Sequence, residues 1–290
     1  MDPVALVKLP PLMERTGGSP EILVGLIDGP VVMSHPDLAG ANIRGISGGM
    51  AGACTEAGSA ACLHGTFVAG MLSARRSATA PAICPACTLL LRPIFAEMTS
   101  GNGQMPSATP VDLAVALIEC IEAGARVINI SSALADPAST GQRDIEEALD
   151  YAVRRGVLVV AAAGNQGTLG SSAITRHPWV IPMVACDLRG RPLRYTNLGR
   201  SIGRHGLSAP GEDITSLGAE GPPLTLGGTS AAAPFVTGAI ALLWSEVPHA
   251  SARAVHGAIT HAAALRRPTV VPPLLNAWAA YQRLRQIYAG

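Results

Sequence analysis

Three polar side chains stand where an apolar stretch of the sequence meets a glycine-rich or helical one. Asp28 closes the apolar run 21–28, His64 begins the sequence HGTFVAG, and Ser230 lies within GGTSAAAP. A serine hydroxyl becomes a useful nucleophile when an imidazole takes its proton, and a carboxylate fixes the tautomer of that imidazole and stabilises its charged form. Together, the three residues predict a hydrolytic site.

A fourth candidate, Asn165, lies in the sequence AAAGNQG, directly after the most apolar run of the chain. Its side-chain amide can donate a hydrogen bond to the oxyanion of a tetrahedral intermediate, together with the backbone N–H of Ser230. The sequence therefore supplies both a nucleophile and donors for the negative charge that its attack creates.

Apolar runs and helical patterns alternate along the chain and must position these residues. The predicted strands are 21–28, 89–95, 126–131, 157–162 and 180–186, and helical patterns cover 111–123 and 144–155, each followed by a glycine. Runs buried on both faces and linked by helices predict an α/β fold of three layers, with a mainly parallel twisted sheet between helices. The ligand site is then expected at the carboxyl ends of the strands.

Three further helical patterns, at 230–244, 251–264 and 275–288, follow the sheet region. The sequence shows no internal repeat and no low-complexity linker. We therefore expect a single domain over residues 1–290, in which 1–20 form an N-terminal extension and 265–290 carry a C-terminal helix. The oligomeric state is left open.

Composition narrows the classes of partner and the location. Of the 290 residues, 48% are hydrophobic and 14% charged, a balance that excludes disorder. The net charge of +1 gives no electrostatic case for a nucleic-acid or anionic-membrane partner. No run of about 20 apolar residues is present, and prolines and charges interrupt the N-terminus where a secretion signal needs an apolar stretch. These features predict a cytoplasmic protein.

Four of the six cysteines have suggestive spacing. Cys84 and Cys87 form a CxxC pair, and Cys54 and Cys62 lie eight residues apart in a loop rich in glycine and alanine. No second CxxC or histidine stands at zinc-site spacing. Ordinary thiols and local disulfide bridges are therefore both favoured over a metal site.

The sequence resembles the subtilisin-like serine peptidases, the subtilases. The matching motifs lie at 27–38, 64–70, 126–131, 157–167, 207–214 and 227–243, and the order Asp, His, Ser along the chain is that of subtilisin. The resemblance implies that Asp28 orients His64, that His64 acts as general base and then acid, that Ser230 is the nucleophile and that Asn165 donates to the oxyanion.

The resemblance also implies how a substrate binds. A peptide is expected to lie as an extended strand beside Ser131, Ser132 and Ala133. Its P1 side chain, which precedes the scissile bond, is expected in a pocket floored by Ala161, Ala162, Ala163 and Gly164. Degradative subtilases usually have a glycine pair after a Ser-Leu step, whereas this sequence has Ser132, Ala133 and Leu134 there. We therefore expect a narrower pocket rim and higher selectivity. The matched pocket segments contain no Asp or Glu that would favour a basic P1 residue.

No cofactor or metal is predicted, with calcium kept as an open alternative. Asp37 matches a position that binds calcium in secreted subtilases, but the asparagine-rich loop expected after the His64 helix is replaced by AGMLSARRSATAPAICP. Because a calcium ion takes six or more oxygen ligands, one carboxylate without that loop does not make the site.

Within the family, the sequence is similar to the proteases that mature cyanobactin-type ribosomal peptides by removing a leader, with matching segments at 26–31, 92–95, 125–131 and 207–212. Macrocyclising relatives carry a helical insertion between the Asp and the His, whereas here His64 follows Asp28 by only 36 residues. We therefore expect a selective serine endopeptidase that processes a peptide precursor. The alternatives are a broadly degradative subtilase, a peptide macrocyclase and an inactive peptide-binding scaffold.

Overall fold

Seven strands form one parallel β-sheet in the computed structural model, which describes residues 2–46, 50–97, 108–131, 141–261 and 269–288. The strands are β1 (Leu23–Asp28), β2 (Asn42–Gly45), β3 (Thr88–Pro93), β4 (Val127–Ile130), β5 (Leu158–Ala162), β6 (Val180–Cys186) and β7 (Leu207–Pro210). Their order across the sheet is β2-β3-β1-β4-β5-β6-β7, and every neighbouring pair is parallel. The carboxyl ends of all seven strands therefore lie along one edge.

The helices cover both faces of this sheet, and a short hairpin stands apart from it. The helices are α1 (Pro3–Leu6), α2 (Pro10–Arg15), α3 (Ala60–Ser73), α4 (Pro110–Glu122), α5 (Gln142–Arg155), α6 (Ala173–Arg176), α7 (Arg200–His205), α8 (Thr229–Glu246), α9 (Ala252–His261) and α10 (Ala277–Tyr288). A 3₁₀ turn spans Pro36–Leu38, and β8 (Ile214–Ser216) pairs antiparallel with β9 (Leu224–Leu226).

Successive sheet residues pack into different cores, which confirms the three-layer prediction. On β1, Leu26 belongs to a core that includes residues of α3, α8 and α10, whereas Ile27 belongs to a second core with residues of α4 and α5. The same alternation holds for Val160 and Val159 on β5. Side chains on a strand alternate between faces, so each apolar run of this sequence serves two helical layers.

Each predicted strand and helix is present, with bounds that agree within two residues where the structure describes them. Residues 262–264 of one predicted helix lie outside the described residues. Residues 3–15, which we expected to form an extension, make α1 and α2, and Val7, Leu9 and Leu12 lie in the larger core. The single-domain organisation stays a prediction.

One disulfide bridge joins Cys54 to Cys62. Of the two alternatives left open by the spacing, ordinary thiols and local disulfide bridges, the second applies to this pair. Cys84 and Cys87 are free, buried thiols, as are Cys120 and Cys186. Burial raises the pKa of the Cys120 thiol to about 12, which keeps it protonated in the core. Within the described ranges, no helix is both long and apolar enough to cross a membrane.

Candidate active site

Asp28 and His64 form a hydrogen-bonded pair at the carboxyl end of the central strand. Asp28 is the last residue of β1 and is completely buried. Its Oδ1 atom accepts the backbone N–H of Gly29 at 2.7 Å and lies 2.7 Å from Nδ1 of His64. The other carboxylate oxygen, Oδ2, is buried and has no hydrogen-bonding partner among the described residues. The carboxylate is therefore in position to fix the orientation and tautomer of the imidazole.

Two glycines let the His64 helix approach β1 closely enough for this contact. A Cβ atom at Gly29 would lie 1.9 Å from the carbonyl oxygen of Ala61, and one at Gly65 would lie 2.4 Å from the carbonyl oxygens of Gly29 and Pro30. Ser59 begins the helix by accepting the backbone N–H of Cys62 on its side chain. The glycine that follows His64 is thus required by packing of backbone against backbone.

The surroundings of His64 act on its pKa in opposite directions. Burial, the larger influence, disfavours the charged imidazolium and lowers the pKa, whereas the charge of Asp28 and its hydrogen bond raise it. The net result is a pKa raised above the ordinary value of 6.5. The side chain keeps 14% of its surface exposed, so the ring is not sealed from the cleft.

Ser230 lies at the start of α8, a helix whose residues are almost all buried. As the second residue of the helix, it has a backbone N–H with no intrahelical partner. Gly228, just before the helix, adopts a left-handed φ of +108°, and a Cβ there would lie 2.8 Å from Nδ2 of Asn165. The described contacts include no hydrogen bond between Ser230 Oγ and His64, a contact that is often long in enzymes without substrate.

Asn165 is fixed against the residue that precedes Ser230. Its Oδ1 atom accepts the backbone N–H of Thr229 at 2.9 Å, and the hydroxyl of Thr229 accepts the backbone N–H of Gly164 at 3.1 Å. The amide oxygen accepts this hydrogen bond. The Nδ2 group, which can only donate, is left for another acceptor, and the side chain is exposed. A donor beside the nucleophile can stabilise an oxyanion that forms there.

Of the residues expected to bind a peptide, Ser131 and Ala161 to Gly164 are described, whereas Ser132 and Ala133 lie outside the described residues. Ser131 follows β4, and its hydroxyl accepts a hydrogen bond from Asn129 Nδ2 at 2.6 Å. The Thr237 hydroxyl of α8 donates to Asn129 Oδ1 at 2.8 Å. This buried network ties the expected substrate strand to the helix that carries Ser230.

Ala161 and Ala162 end β5, and Ala163 and Gly164 continue from it toward Asn165. All four are buried at the sheet edge that carries Asp28. Alanine and glycine take up little volume, as the floor of a side-chain pocket requires.

Asn197 is a residue of this region that the sequence analysis missed. Its side chain and backbone hydrogen-bond to four residues of the segment 163–168, which contains Asn165. The available signal was an asparagine in the turn-forming sequence TNLG after β6. That signal is common in loops and does not identify the distant segment that the asparagine binds.

The residues around Asp37 do not fit a calcium ion. Its Oδ1 atom accepts a hydrogen bond from Nε of Arg75 at 2.7 Å, so a guanidinium already neutralises the carboxylate. Among the described residues, the group with metal-ligating potential is Cys54, Cys62 and Glu97, and the two cysteines of that group form the disulfide. Both carboxylate oxygens of Glu97 accept hydrogen bonds from Thr55.

Comparison with known proteins places the chain in a family. The profile of the subtilase family matches residues 19–276. Fervidolysin of Fervidobacterium pennivorans is 31% identical over 268 residues, which cover 82% of this chain and 36% of fervidolysin. The chain thus spans about a third of the length of that relative, and it covers 54% of a thermophilic serine proteinase of Bacillus sp. (strain AK1).

Two solved structures are similar over nearly their whole length. The patellamide maturation protease PatA is 30% identical with a TM-score of 0.78, covering 93% of this chain and 98% of PatA. The prenylagaramide maturation protease PagA is 28% identical with a TM-score of 0.81, covering 95% of this chain and 98% of PagA.

Proposed function

The chain belongs to the subtilase family, and on this premise we propose that it is a serine endopeptidase that hydrolyses peptide bonds through an acyl-enzyme. The observation that carries the proposal is the 2.7 Å contact between buried Asp28 and His64, at the same sheet edge as an asparagine amide held beside the residue preceding Ser230. A peptide-binding scaffold has no physical need for this combination of groups.

The first half of the proposed reaction forms the acyl-enzyme. Ser230 Oγ attacks the carbonyl carbon of the scissile bond while His64 Nε2 takes the hydroxyl proton, and Asp28 stabilises the resulting imidazolium through Nδ1. The oxyanion of the tetrahedral intermediate accepts hydrogen bonds from Asn165 Nδ2 and from the backbone N–H of Ser230. His64 then gives its proton to the departing amine.

Water completes the cycle by attacking the acyl-enzyme. His64, neutral again after the amine has left, takes a proton from the water, and the same two donors stabilise the second oxyanion. Collapse of that intermediate returns the proton to Ser230 and releases the new carboxyl terminus. Neither a metal nor an organic cofactor takes part in these steps.

We propose that the substrate is a peptide precursor that binds as an extended strand along Ser131, Ser132 and Ala133, with its P1 side chain over Ala161 to Gly164. Similarity to PatA and PagA, two maturation proteases whose chains it covers almost completely, supports this substrate class. The small residues at the end of β5 suit a pocket for one side chain. A cytoplasmic location stays a prediction. The Cys54–Cys62 disulfide does not favour it, because disulfides are typical of oxidising compartments.

A fluorophosphonate probe tests the chemistry, because it labels a serine only when that serine is activated as a nucleophile. We expect Ser230 to be labelled in the wild type, and neither label nor turnover in Ser230→Ala or His64→Ala. Absence of label from the folded wild-type protein favours the scaffold alternative.

Digestion of a peptide library by wild type and Ser230→Ala, read by mass spectrometry, tests the substrate class. Cleavage at one narrow motif supports a processing protease. Broad cleavage instead assigns a degradative role, and cyclic products identify a macrocyclase.

A further inference from the structure

Asn197 lies 32 residues beyond Asn165 in the chain but makes its side-chain contacts in the segment that carries it. We propose that Asn197 is the positioning residue that sets the location of the oxyanion donor Asn165. This inference rests on the proposed peptidase function. It assigns to Asn197 no contact with substrate, only control of the loop that presents the donor.

The side chain of Asn197 uses its whole hydrogen-bonding capacity on this segment. Its Oδ1 atom accepts the backbone N–H groups of Gln166 and Thr168, both at 3.1 Å. Its Nδ2 group donates to the carbonyl oxygen of Ala163 at 3.1 Å and to Oε1 of Gln166 at 2.7 Å. The backbone N–H of Asn197 adds a bond to the carbonyl oxygen of Gly164 at 2.9 Å. An amide has two donor hydrogens and two acceptor lone pairs, and all four are engaged here.

These contacts lie on both sides of Asn165 in sequence. Ala163 and Gly164 precede it, and Gln166 and Thr168 follow it. The Asn165 side chain itself is exposed, and the hydrogen bond described for it is the one from the Thr229 backbone N–H. The position of its Nδ2 group is therefore set jointly by the Thr229 contact and by the backbone that Asn197 holds.

The segment needs an external restraint because its own sequence allows more than one backbone conformation. Gly164 and Gly167 flank Asn165 and have φ values of +106° and +65°. Glycine reaches such conformations at no steric cost but also leaves them easily, so local preference does not fix the loop. Asn197 supplies acceptors and donors at fixed positions on either side of the donor residue.

Asn197 is in turn anchored to the sheet through its neighbours. The Thr196 hydroxyl accepts the backbone N–H of Ala185 on β6, and Thr196 is buried. The backbone carbonyl of Tyr195 accepts the N–H of Gly167 at 2.7 Å. The segment 195–197 is thus hydrogen-bonded to strand β6 through Thr196 and to the loop of Asn165 through Tyr195 and Asn197.

The chemistry is sensitive to small errors in this loop, because a displacement of about 1 Å in a catalytic group can cost roughly 10²-fold in rate. We expect Asn197→Ala to lower kcat by about 10- to 100-fold with little change in KM, since the oxyanion forms only beyond the ground state. Asn165→Ala removes the donor itself, and in subtilisin such a loss costs on the order of 10²–10³ in kcat.

A double-mutant cycle separates positioning from general destabilisation. If Asn197 acts through Asn165, then adding Asn197→Ala to Asn165→Ala lowers kcat no further, because no donor is left to misplace. Multiplication of the two losses in the double variant overturns the inference. Asn197→Asp is a second variant for the case in which Asn197→Ala does not fold, since it keeps the size and the two acceptor contacts. It is expected to lower kcat as well, because its second oxygen faces the Ala163 carbonyl.

Thr88→Val is the matched control. Thr88 is fully buried at the amino end of β3, and its hydroxyl donates to the carbonyl oxygen of Pro20 at 2.7 Å, far along the sheet from the strand ends that carry the site. We expect this variant to lower the melting temperature and leave kcat unchanged. An equal loss of kcat in Thr88→Val and Asn197→Ala overturns the inference, as does wild-type kcat in both Asn197 variants. A wild type that neither hydrolyses peptides nor takes the fluorophosphonate label overturns the proposed function first.

Discussion

Oδ1 of Asp28 lies 2.7 Å from Nδ1 of His64, although 36 residues separate them in the sequence. The contact commits Nδ1 to the carboxylate and leaves Nε2 as the nitrogen that can take a proton. Because the carboxylate is fully buried, its charge acts on the imidazole with little screening by water. The pair therefore determines both the geometry of His64 and the pH range in which it can act as a base.

The pH dependence of activity follows from the raised pKa of His64. Protonated imidazole cannot take the Ser230 proton, so kcat/KM falls as the pH drops through this pKa. This fall, the acid limb of the pH–rate profile, is expected above pH 6.5. In Asp28→Asn the charge that raises the pKa is lost while the burial that lowers it remains. We expect the acid limb to move to lower pH and kcat to fall by about 10⁴-fold, as in other serine-peptidase triads.

The pH–rate profile of each variant measures this shift. Asp37→Asn is the matched control, since Asp37 is a carboxylate paired with Arg75, whereas the carboxylate that acts on His64 is that of Asp28. It should leave the acid limb in place. An acid limb that stays in place in Asp28→Asn as well would show that another group limits activity at low pH.

The candidate site could be predicted from sequence because its residues stand in short local motifs. Asp28 ends strand β1, Asn165 follows the end of β5 by three residues, and His64 and Ser230 lie near the starts of helices α3 and α8. Asn197 could not be found in this way, because its partners lie about 30 residues away and its own surroundings read as an ordinary turn.

Hydrophobic periodicity does not predict every element of the fold, because it is weak in some of them. Helix α3 is buried around nearly its whole circumference, so its sequence has no apolar stripe of helical period. Strand β2 differs from α3, because it is the outermost strand of the sheet, its residues are mostly exposed and it carries no apolar run. The first two helices lie in a segment rich in proline, which the sequence analysis interpreted as an extension.

The Cys54–Cys62 bridge is expected to stabilise the entry to the His64 helix. Cys62 lies in the first turn of α3, two residues before His64. Closing a loop this short removes entropy from the unfolded chain worth about 2–3 kcal/mol. A dithiol reductant should therefore lower the melting temperature of the wild type, and the double variant Cys54→Ser/Cys62→Ser should melt at the same lowered temperature.

The double variant also provides the control for this experiment. The remaining four cysteines are free thiols, so the reductant should have no effect on it. An equal shift in the wild type and the double variant would trace the effect to some other cysteine pair, with Cys84 and Cys87 as the first candidates.

Chelation of divalent metals is expected to leave both activity and melting temperature unchanged. The Asp37 carboxylate is paired with Arg75 at 2.7 Å, and one paired carboxylate offers too few ligands for calcium. The melting temperature measured with and without EDTA tests this expectation. A large drop on chelation would reveal a metal site elsewhere in the protein.

Because the Arg75 side chain is 57% exposed, Arg75→Ala should cost only about 0–1 kcal/mol of stability.

Gly65→Ala should damage the active site by forcing α3 away from β1. The new Cβ would lie 2.4 Å from the carbonyl oxygens of Gly29 and Pro30, and backbone atoms cannot move aside as a flexible side chain can. The shift would pull His64 away from Asp28, so we expect a loss of at least 10-fold in kcat together with a lower melting temperature.

Gly257→Ala provides the comparison, because Gly257 also lies within a helix, α9, but has open space where its Cβ would be. Alanine favours helix over glycine by about 1 kcal/mol, so this variant should be more stable than the wild type and equally active. Thermal unfolding and kcat measured on both variants test the argument. Wild-type kcat and stability in Gly65→Ala would show that α3 tolerates a wider separation from β1 and that the close approach of the two elements is not what holds Asp28 and His64 together.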